Sequence, residues 1–66
     1  MNIKKAIKLY KQNMTFGDIM ELCDLSLDQI YAIDYGMRSN QERKIERVAM
    51  QTYKDMKASE IEKLFN

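Results

Sequence analysis

A chain of 66 residues is long enough for one compact domain, because proteins divide into separate cores only at several times this length. Its side chains are 45% hydrophobic and 32% charged, with no proline and two glycines, which disfavours disordered, collagen-like and turn-rich β-proteins. With no histidine and one cysteine, the chain lacks the residues for histidine-based catalysis, a histidine-ligated metal or an internal disulfide framework. We therefore expect a reduced, cytoplasmic, all-α domain with no metal and no other cofactor.

Charge is distributed unevenly along the chain, although the net charge is only +1. Residues 1–11 contain four lysines and no acid, residues 12–37 contain five acids and no base, and residues 38–66 contain seven bases and five acids. The four lysines alternate with an apolar stripe, which is typical of the solvated face of an amphipathic helix. The sequence therefore predicts an acidic block between two basic flanks.

Apolar side chains recur at helical spacing in five segments. We predict helices over residues 2–12, 16–23, 27–35, 40–57 and 60–65. Four Ser or Thr residues are followed, three positions later, by a residue that can complete a capping box: Thr15 with Asp18, Ser26 with Gln29, Ser39 with Glu42, and Ser59 with Glu62. Leu25 and Ile30 flank the second of these caps at the spacing of a hydrophobic staple. Gly36 is predicted to stop the third helix in a left-handed conformation.

Two short helices joined by about three residues form the shape of a helix-turn-helix. Within FGDIMELCDLSLDQIYAIDYGMR, the apolar positions that such a bend buries are Ile19, Met20, Cys23, Leu25, Ile30 and Ile33. This segment and its flanks resemble the Cro and phage-lambda-repressor (Xre-type) family, since LSLDQIYAIDYGMRS follows the family style S-x-x-x-I-x-x-I-E-x-G-x-R. The resemblance covers nearly the whole chain. It implies a compact five-helix, lambda-repressor-like domain with its helix-turn-helix unit at about 16–35.

The chain departs from the family pattern at four places. Asp24 stands in the turn where the family usually has glycine, and aspartate tolerates a left-handed backbone better than most residues. Met20 replaces the usual alanine at the helix crossing, and Phe16 replaces a glutamine that often contacts phosphate. About four extra residues lie between the fourth and fifth helices, which implies another turn of helix four.

The resemblance implies a phage- or plasmid-type transcriptional regulator that binds operator DNA, in double-stranded form, as a homodimer. The implied base-reading residues are Leu27, Asp28, Gln29, Tyr31 and Ala32. The implied phosphate-contacting residues are Arg38, Asn40, Gln41, Arg43 and Lys44. The residues expected to form the dimer contact, unless they fold back on the core, are Ile61, Leu64 and Phe65.

The acidic block supports a different function for the same fold, because five carboxylates repel DNA phosphates. A protein-binding relative of the helix-turn-helix family would use an acidic, tyrosine-bearing face against a basic protein partner. Such a protein would be an antirepressor or an inhibitor of a host nucleic-acid enzyme. The residues predicted for this face are Leu27, Asp28, Tyr31, Asp34 and Tyr35.

No catalytic residues are expected, and we predict that the protein is not an enzyme. The sequence contains no catalytic triad, metal-ligand set, phosphate-binding glycine loop or acid pair with a plausible pocket. The lone Cys23 falls on an apolar stripe and has no histidine to activate it. No uncharged stretch is longer than that of residues 12–17, which is short and polar, so no membrane-spanning segment is predicted.

Overall fold

The computed structural model describes residues 1–52 and 55–66, and in these residues the protein is helical without strands. Its helices there are α1 (Ile3–Lys11), α2 (Phe16–Cys23), α3 (Leu27–Arg38), α4 (Glu42–Gln51) and α5 (Ala58–Lys63). The Cα radius of gyration is 10.5 Å, close to the value of about 10.8 Å expected for a compact chain of this length. The prediction of a compact, all-α, five-helix domain is confirmed.

The caps predicted for the second and third helices are present. The Thr15 hydroxyl accepts the backbone N–H of Asp18 at 3.3 Å, at the start of α2. At the start of α3, the Ser26 hydroxyl accepts the Gln29 N–H at 3.2 Å, and the Gln29 side chain accepts the Ser26 N–H at 3.0 Å. This reciprocal pair is a complete capping box, so the sequence fixes where α3 begins.

The caps predicted at Ser39 and Ser59 are wrong. Ser39 is the C-terminal cap of α3, where its hydroxyl donates to the carbonyl of Tyr35 at 2.7 Å. Ser59 lies inside α5, and the first turn of that helix is closed by Glu60, whose carboxylate accepts the Lys57 N–H at 3.1 Å. In both places the serine spacing satisfies the capping pattern, while another residue forms the end of the helix.

Asparagine and aspartate, rather than glycine, end the first three helices. Asn13, Asp24 and Asn40 adopt left-handed backbone conformations, with φ of 65°, 56° and 59°. After α3, the N–H groups of Asn40 and Gln41 bond back to carbonyls in the last turn at 3.2 and 2.7 Å, which is the Schellman pattern. Asp24 thus adopts the left-handed conformation that aspartate tolerates better than most residues. The prediction that Gly36 ends α3 is wrong.

Gly36 serves packing instead, inside a helix that continues two residues beyond it. A Cβ at this position would lie against Ile45 Cγ1, 2.9 Å from Ile45 Cδ1 and 3.0 Å from Phe65 Cε1. These distances are too short for ordinary carbon contacts. The missing side chain therefore allows α4 and the C-terminal phenylalanine to approach the backbone of α3 closely.

Helix α4 is shorter than the predicted segment 40–57. It ends at Gln51, and Asp55 has a left-handed backbone with φ of 65°. Residues 52 and 55–57 belong to no helix, so the predicted extra helical turn is absent from the described part of this connection. Tyr53 and Lys54, which that prediction included, lie outside the described residues.

The core is built on α3, which packs against α2, α4 and α5, while α1 packs against α2 and α4. The largest fully buried side chains are Phe65, Ile19, Ile30, Ile33, Ile45, Ile61 and Val48. The predicted staple residues Leu25 and Ile30 are both buried, as is Cys23. Because three helices contact α3, little of its surface is left to meet another molecule.

Candidate nucleic-acid interface

The first turn of α3 carries three of the residues predicted to read base edges. Leu27 is 70% exposed. Asp28 is half-buried, and its carboxylate accepts the backbone N–H of Met56 at 3.3 Å. Gln29 is occupied by its capping box with Ser26. Leu27 is therefore the accessible side chain of this turn, and it is apolar.

The second turn of α3 is covered by the C-terminal part of the chain. Ala32 is fully buried, so the prediction that it reads a base edge is wrong. The Tyr31 hydroxyl donates to Glu62 Oε2 at 2.7 Å. This hydrogen bond to a carboxylate, together with partial burial, raises the pKa of Tyr31. The sequence pattern located the helix correctly. Its use to read bases requires a solvent-exposed side, and contacts with α4 and α5 leave little of that side exposed.

Asp34, predicted for the acidic partner face, is bonded inside the chain. Its two carboxylate oxygens accept the Tyr10 hydroxyl at 2.7 Å and the Arg38 Nε–H at 2.9 Å. The hydrogen bonds to this carboxylate raise the pKa of Tyr10 and of Arg38. Asp34 therefore joins α1 to the last turn of α3, and its charge is compensated locally by Arg38.

The two tyrosines of α3 stack on each other, with Tyr31 and Tyr35 ring centroids 6.4 Å apart. The Tyr35 ring also packs against the buried Phe65 ring at 5.2 Å. Of the five residues predicted for a protein-binding face, four therefore take part in contacts within the chain. Leu27 is the remaining one.

The α3–α4 turn brings together four of the five residues predicted to contact phosphate. Asn40, Gln41, Arg43 and Lys44 line one surface depression of about 490 Å³. The left-handed Asn40 makes the chain reverse here, so that α4 starts directly beside the end of α3. Arg38, the fifth residue, lies on the last turn of α3 and is paired with a neighbouring carboxylate.

The start of α4 has no side-chain cap. Its N-cap residue, Gln41, makes no side-chain hydrogen bond to the first turn, which leaves helix-end N–H groups and the positive end of the helix dipole without a capping side chain. Arg43 and Lys44 are exposed on the same turn. Lys44 Nζ also donates to the carbonyl of Phe65 at 2.8 Å, which directs its ammonium toward the C-terminal residues. The first residue of α4, Glu42, is paired with Lys11, so Arg43 and Lys44 leave this helix start net cationic, which suits a phosphate group.

Two of the three predicted dimer residues lie in the core of the single chain. Ile61 is 1% exposed and Phe65 is 0% exposed, so neither can contact a second copy. Leu64 is half-buried. The dimer contact predicted at the C-terminal helix is therefore wrong for Ile61 and Phe65, because α5 folds back onto α3. The homodimer itself stays a prediction.

Sequence reasoning missed the contacts that attach α1 to the turn region. Lys11 Nζ lies 2.8 Å from Glu42 Oε2, across 31 residues of sequence, and Tyr10 reaches Asp34 across 24. Local spacing patterns carry no information about pairs so far apart. The net result is that α1, the end of α3 and the start of α4 form one connected region.

No protein-family model, curated protein or solved structure matches this chain. Across residues 1–52 and 55–66, none of the helices combines the length and the apolar character needed to cross a membrane. The same described residues contain no group of three or more Cys, Asp or Glu side chains placed to hold a metal ion.

Proposed function

We propose that this protein is a small helix-turn-helix regulator that binds double-stranded DNA, of the phage or plasmid type that the resemblance to the Cro and lambda-repressor family implies. The observation that carries the proposal is the depression at the uncapped start of α4, lined by Asn40, Gln41, Arg43 and Lys44. Amide side chains, backbone N–H groups and basic side chains are the groups that hold DNA phosphates in protein complexes. All of them meet at this turn.

The contacts of the acidic residues on α3 also support DNA binding. Asp34 is compensated by Arg38 and Tyr10, and Asp28 accepts a backbone N–H from the segment before α5. The ion pair with Arg38 offsets the charge of Asp34, whereas the hydrogen bond from a neutral N–H leaves the charge of Asp28 in place. The repulsion between α3 and DNA phosphates is therefore smaller than the charge count of the sequence indicates.

The accessible surface of α3 limits how the protein reads sequence. In the family it resembles, the second helix of the motif enters the major groove and presents its first turns to base edges. Here Leu27 is exposed enough to meet a thymine methyl group, while Ala32 is buried and Tyr31 bonds to Glu62. We therefore expect affinity to come mainly from phosphate contacts, with a modest preference for sequence and a steep dependence on salt.

A fluorescence anisotropy titration with a labelled random duplex at low salt tests this proposal. The wild-type protein is expected to bind in the micromolar range, which is typical of non-specific binding driven by basic residues. Arg43→Gln is expected to weaken binding and to lower the salt slope by about one. Lys63→Gln, an equal change of charge on α5, is the matched control and is expected to leave binding unchanged. Absence of wild-type binding at micromolar concentrations would overturn the proposal.

A second candidate function, binding to a basic protein, is favoured by the exposed leucines beside the α2–α3 turn. Leu22 and Leu27 are 55% and 70% exposed, and the side chain of Asp24 between them is 97% exposed. Apolar side chains next to an acid suit the centre and rim of a protein interface. An antirepressor or an inhibitor of a host nucleic-acid enzyme would use this surface.

The double variant Leu22→Ser with Leu27→Ser separates the two candidates. Under the DNA proposal it still binds random duplex as the wild type does, because the phosphate-contacting turn is intact. If protein binding is the function, the wild type captures a partner from nuclease-treated host extract, the double variant does not, and neither binds duplex.

A further inference from the structure

We infer that the lysine face of α1 is a second phosphate-binding surface, so that duplex DNA contacts α1 as well as the α3–α4 turn. This inference rests on the proposed function, because it adds a further part to the same DNA-binding surface. It concerns Lys4, Lys5, Lys8 and Lys11, which the sequence places on the solvated side of an amphipathic helix.

The core contacts of α1 fix the direction in which these lysines point. Ile3 and Ala6 are buried, so the opposite side of the helix faces solvent, and all four lysines are exposed. Two depressions of about 610 and 310 Å³ run along that side, and Lys4 and Lys8 line both. Lys4 and Lys8 therefore form the ridge between two openings, each large enough for a phosphate and its water.

The cations of this face are largely unneutralised. In the described part of the chain, Lys11 alone among the four lysines is paired with an acid, which leaves three without an ion pair. From Lys4 to Lys8, the first and last of the three lysines without an ion pair, the helix rises by about 6 Å, since each residue adds about 1.5 Å. Free cations in a row of this length suit the regularly spaced phosphates of duplex DNA. Proteins gain affinity there by releasing the counterions that surround the phosphates.

The lysine face adjoins the phosphate-contacting turn. Lys11 Nζ lies 2.8 Å from the carboxylate of Glu42, the first residue of α4, and Glu42 lines the smaller depression together with Lys4, Lys8 and Lys11. The next residue along α4 is Arg43, which lines the depression at the turn. The lysine face of α1 and the α3–α4 turn therefore adjoin at the first residues of α4.

Phosphate backbone fits this face better than a lipid surface does. No large apolar side chain is exposed on α1 itself. A helix that binds in the plane of a membrane needs an exposed apolar face as well as basic residues. The helix is also nine residues long, with its apolar side already used by the core.

The salt dependence of duplex binding tests the inference with two charge-matched double variants. One carries Lys4→Gln and Lys8→Gln on α1; the other carries Lys57→Gln and Lys63→Gln around α5. All four lysines are exposed, so both variants are expected to fold as the wild type does, which circular dichroism checks. Each lost phosphate contact lowers the slope of log K against log salt by about 0.9, so the α1 variant is expected to lose about 1.8 from the slope. The α5 variant is expected to keep the wild-type slope.

Three results would overturn the inference. If the wild type binds duplex and the α1 variant keeps its slope, the α1 face is not a contact, while the proposed function stands. An equal loss of slope in both double variants would show an effect of net charge alone. If the wild type does not bind duplex, and especially if it binds vesicles of anionic phospholipid through the α1 lysines, the inference and the proposed function both fail.

Discussion

The two ends of α3 differ in what surrounds them, although the sequence marks both as functional. The residues after its start are held by other parts of the chain: Asp28 by the segment before α5, Tyr31 by Glu62, and Ala32 by the core. The residues after its end line an open depression beside the uncapped start of α4. Exposure on a helix therefore depends on which elements pack against it. Here α5 covers the side of α3 that carries Tyr31 and leaves the α3–α4 turn open.

This difference separates two functions that usually coincide in a DNA-binding helix-turn-helix. Contacts to phosphate position a protein on DNA, and contacts to base edges specify the sequence. In this chain, groups suited to phosphate contacts are present on α1 and at the α3–α4 turn. For contacts to base edges, the first turn of α3 offers little beyond Leu27. We therefore expect phosphate contacts to contribute most of the binding affinity.

The largest effect is predicted for removing the aromatic ring of Phe65, through which the C-terminal residues cover α3. Phe65→Ala deletes a fully buried ring and is expected to destabilise the fold by about 3–5 kcal/mol. A domain of this size has a total stability of similar size, so the variant is expected to be largely unfolded at room temperature. Urea denaturation followed by circular dichroism measures the loss. Leu64→Ala, at a half-buried position, is the control; equal effects in the two would contradict the packing of α5.

The next effect concerns the close contact of α3 with α4. Gly36→Ala places a methyl group against Ile45 and Phe65, and such overpacking typically costs about 1–3 kcal/mol. This outweighs the gain of up to about 1 kcal/mol in helix propensity. Gly17→Ala is the matched control, because nothing lies within 4 Å of the position that its added methyl group would take, and it is expected to stabilise the protein. Thermal melts show whether each variant is more or less stable than the wild type. If Gly36→Ala is more stable, the close contact of Gly36 with Ile45 and Phe65 is contradicted.

The hydrogen bond between α3 and α5 predicts a dependence of stability on alkaline pH. Its acceptor, Glu62, raises the pKa of Tyr31 above the ordinary value of 10.0, so the folded chain holds the phenolic proton more tightly than the unfolded chain does. The contribution to stability is fully present below pH 10 and is lost as the pH rises through the raised pKa.

Tyr31→Phe tests the origin of that dependence. The variant is expected to lose about 1 kcal/mol of unfolding free energy near neutral pH. Above pH 10 the gap between the two proteins is expected to narrow, because the wild type loses the same bond there. Urea titrations on both sides of pH 10 measure the gap. A constant gap would mean that the hydroxyl does not act through Glu62.

The smallest predicted effect is at the start of α3. Leu27→Ala removes an exposed side chain and is expected to change stability by no more than about 0.5 kcal/mol. Its effect on binding is expected to be confined to discrimination among sequences, which competition between duplexes rich and poor in A·T pairs measures. A large loss of stability would show that Leu27 packs inside the fold.

Much of the fold was predictable because its signals are local. The box of Ser26 with Gln29 and the apolar spacing place α2 and α3 within a few residues, and Asp24 ends α2 as expected. The errors at Gly36 and Ala32 share one cause, which is that a local pattern does not show what packs on it. Gly36 carries the signature of a helix stop but is needed for contact with Ile45 on the next helix and with Phe65, far along the chain.

The candidate site, too, was predictable from the sequence only where its signals are local. The phosphate-contacting residues follow one another closely, so their grouping at the turn is visible in the sequence. The hydrogen bond that covers Tyr31 is accepted by Glu62 on α5, 31 residues later. Ile61 and Phe65, expected at a dimer contact, are buried because α5 folds back onto α3. No spacing rule within α3 could have shown this.

The most direct test of the account maps the surface that meets DNA. Two-dimensional amide NMR spectra of the ¹⁵N-labelled protein would be recorded while a short duplex is added at low salt. We predict the largest shifts at the backbone amides of 40–44 and smaller ones along α1, with α5 nearly unaffected. Shifts confined to the α2–α3 turn or to α5, or no shifts at saturating duplex, would contradict the claim that the α3–α4 turn holds the phosphate backbone.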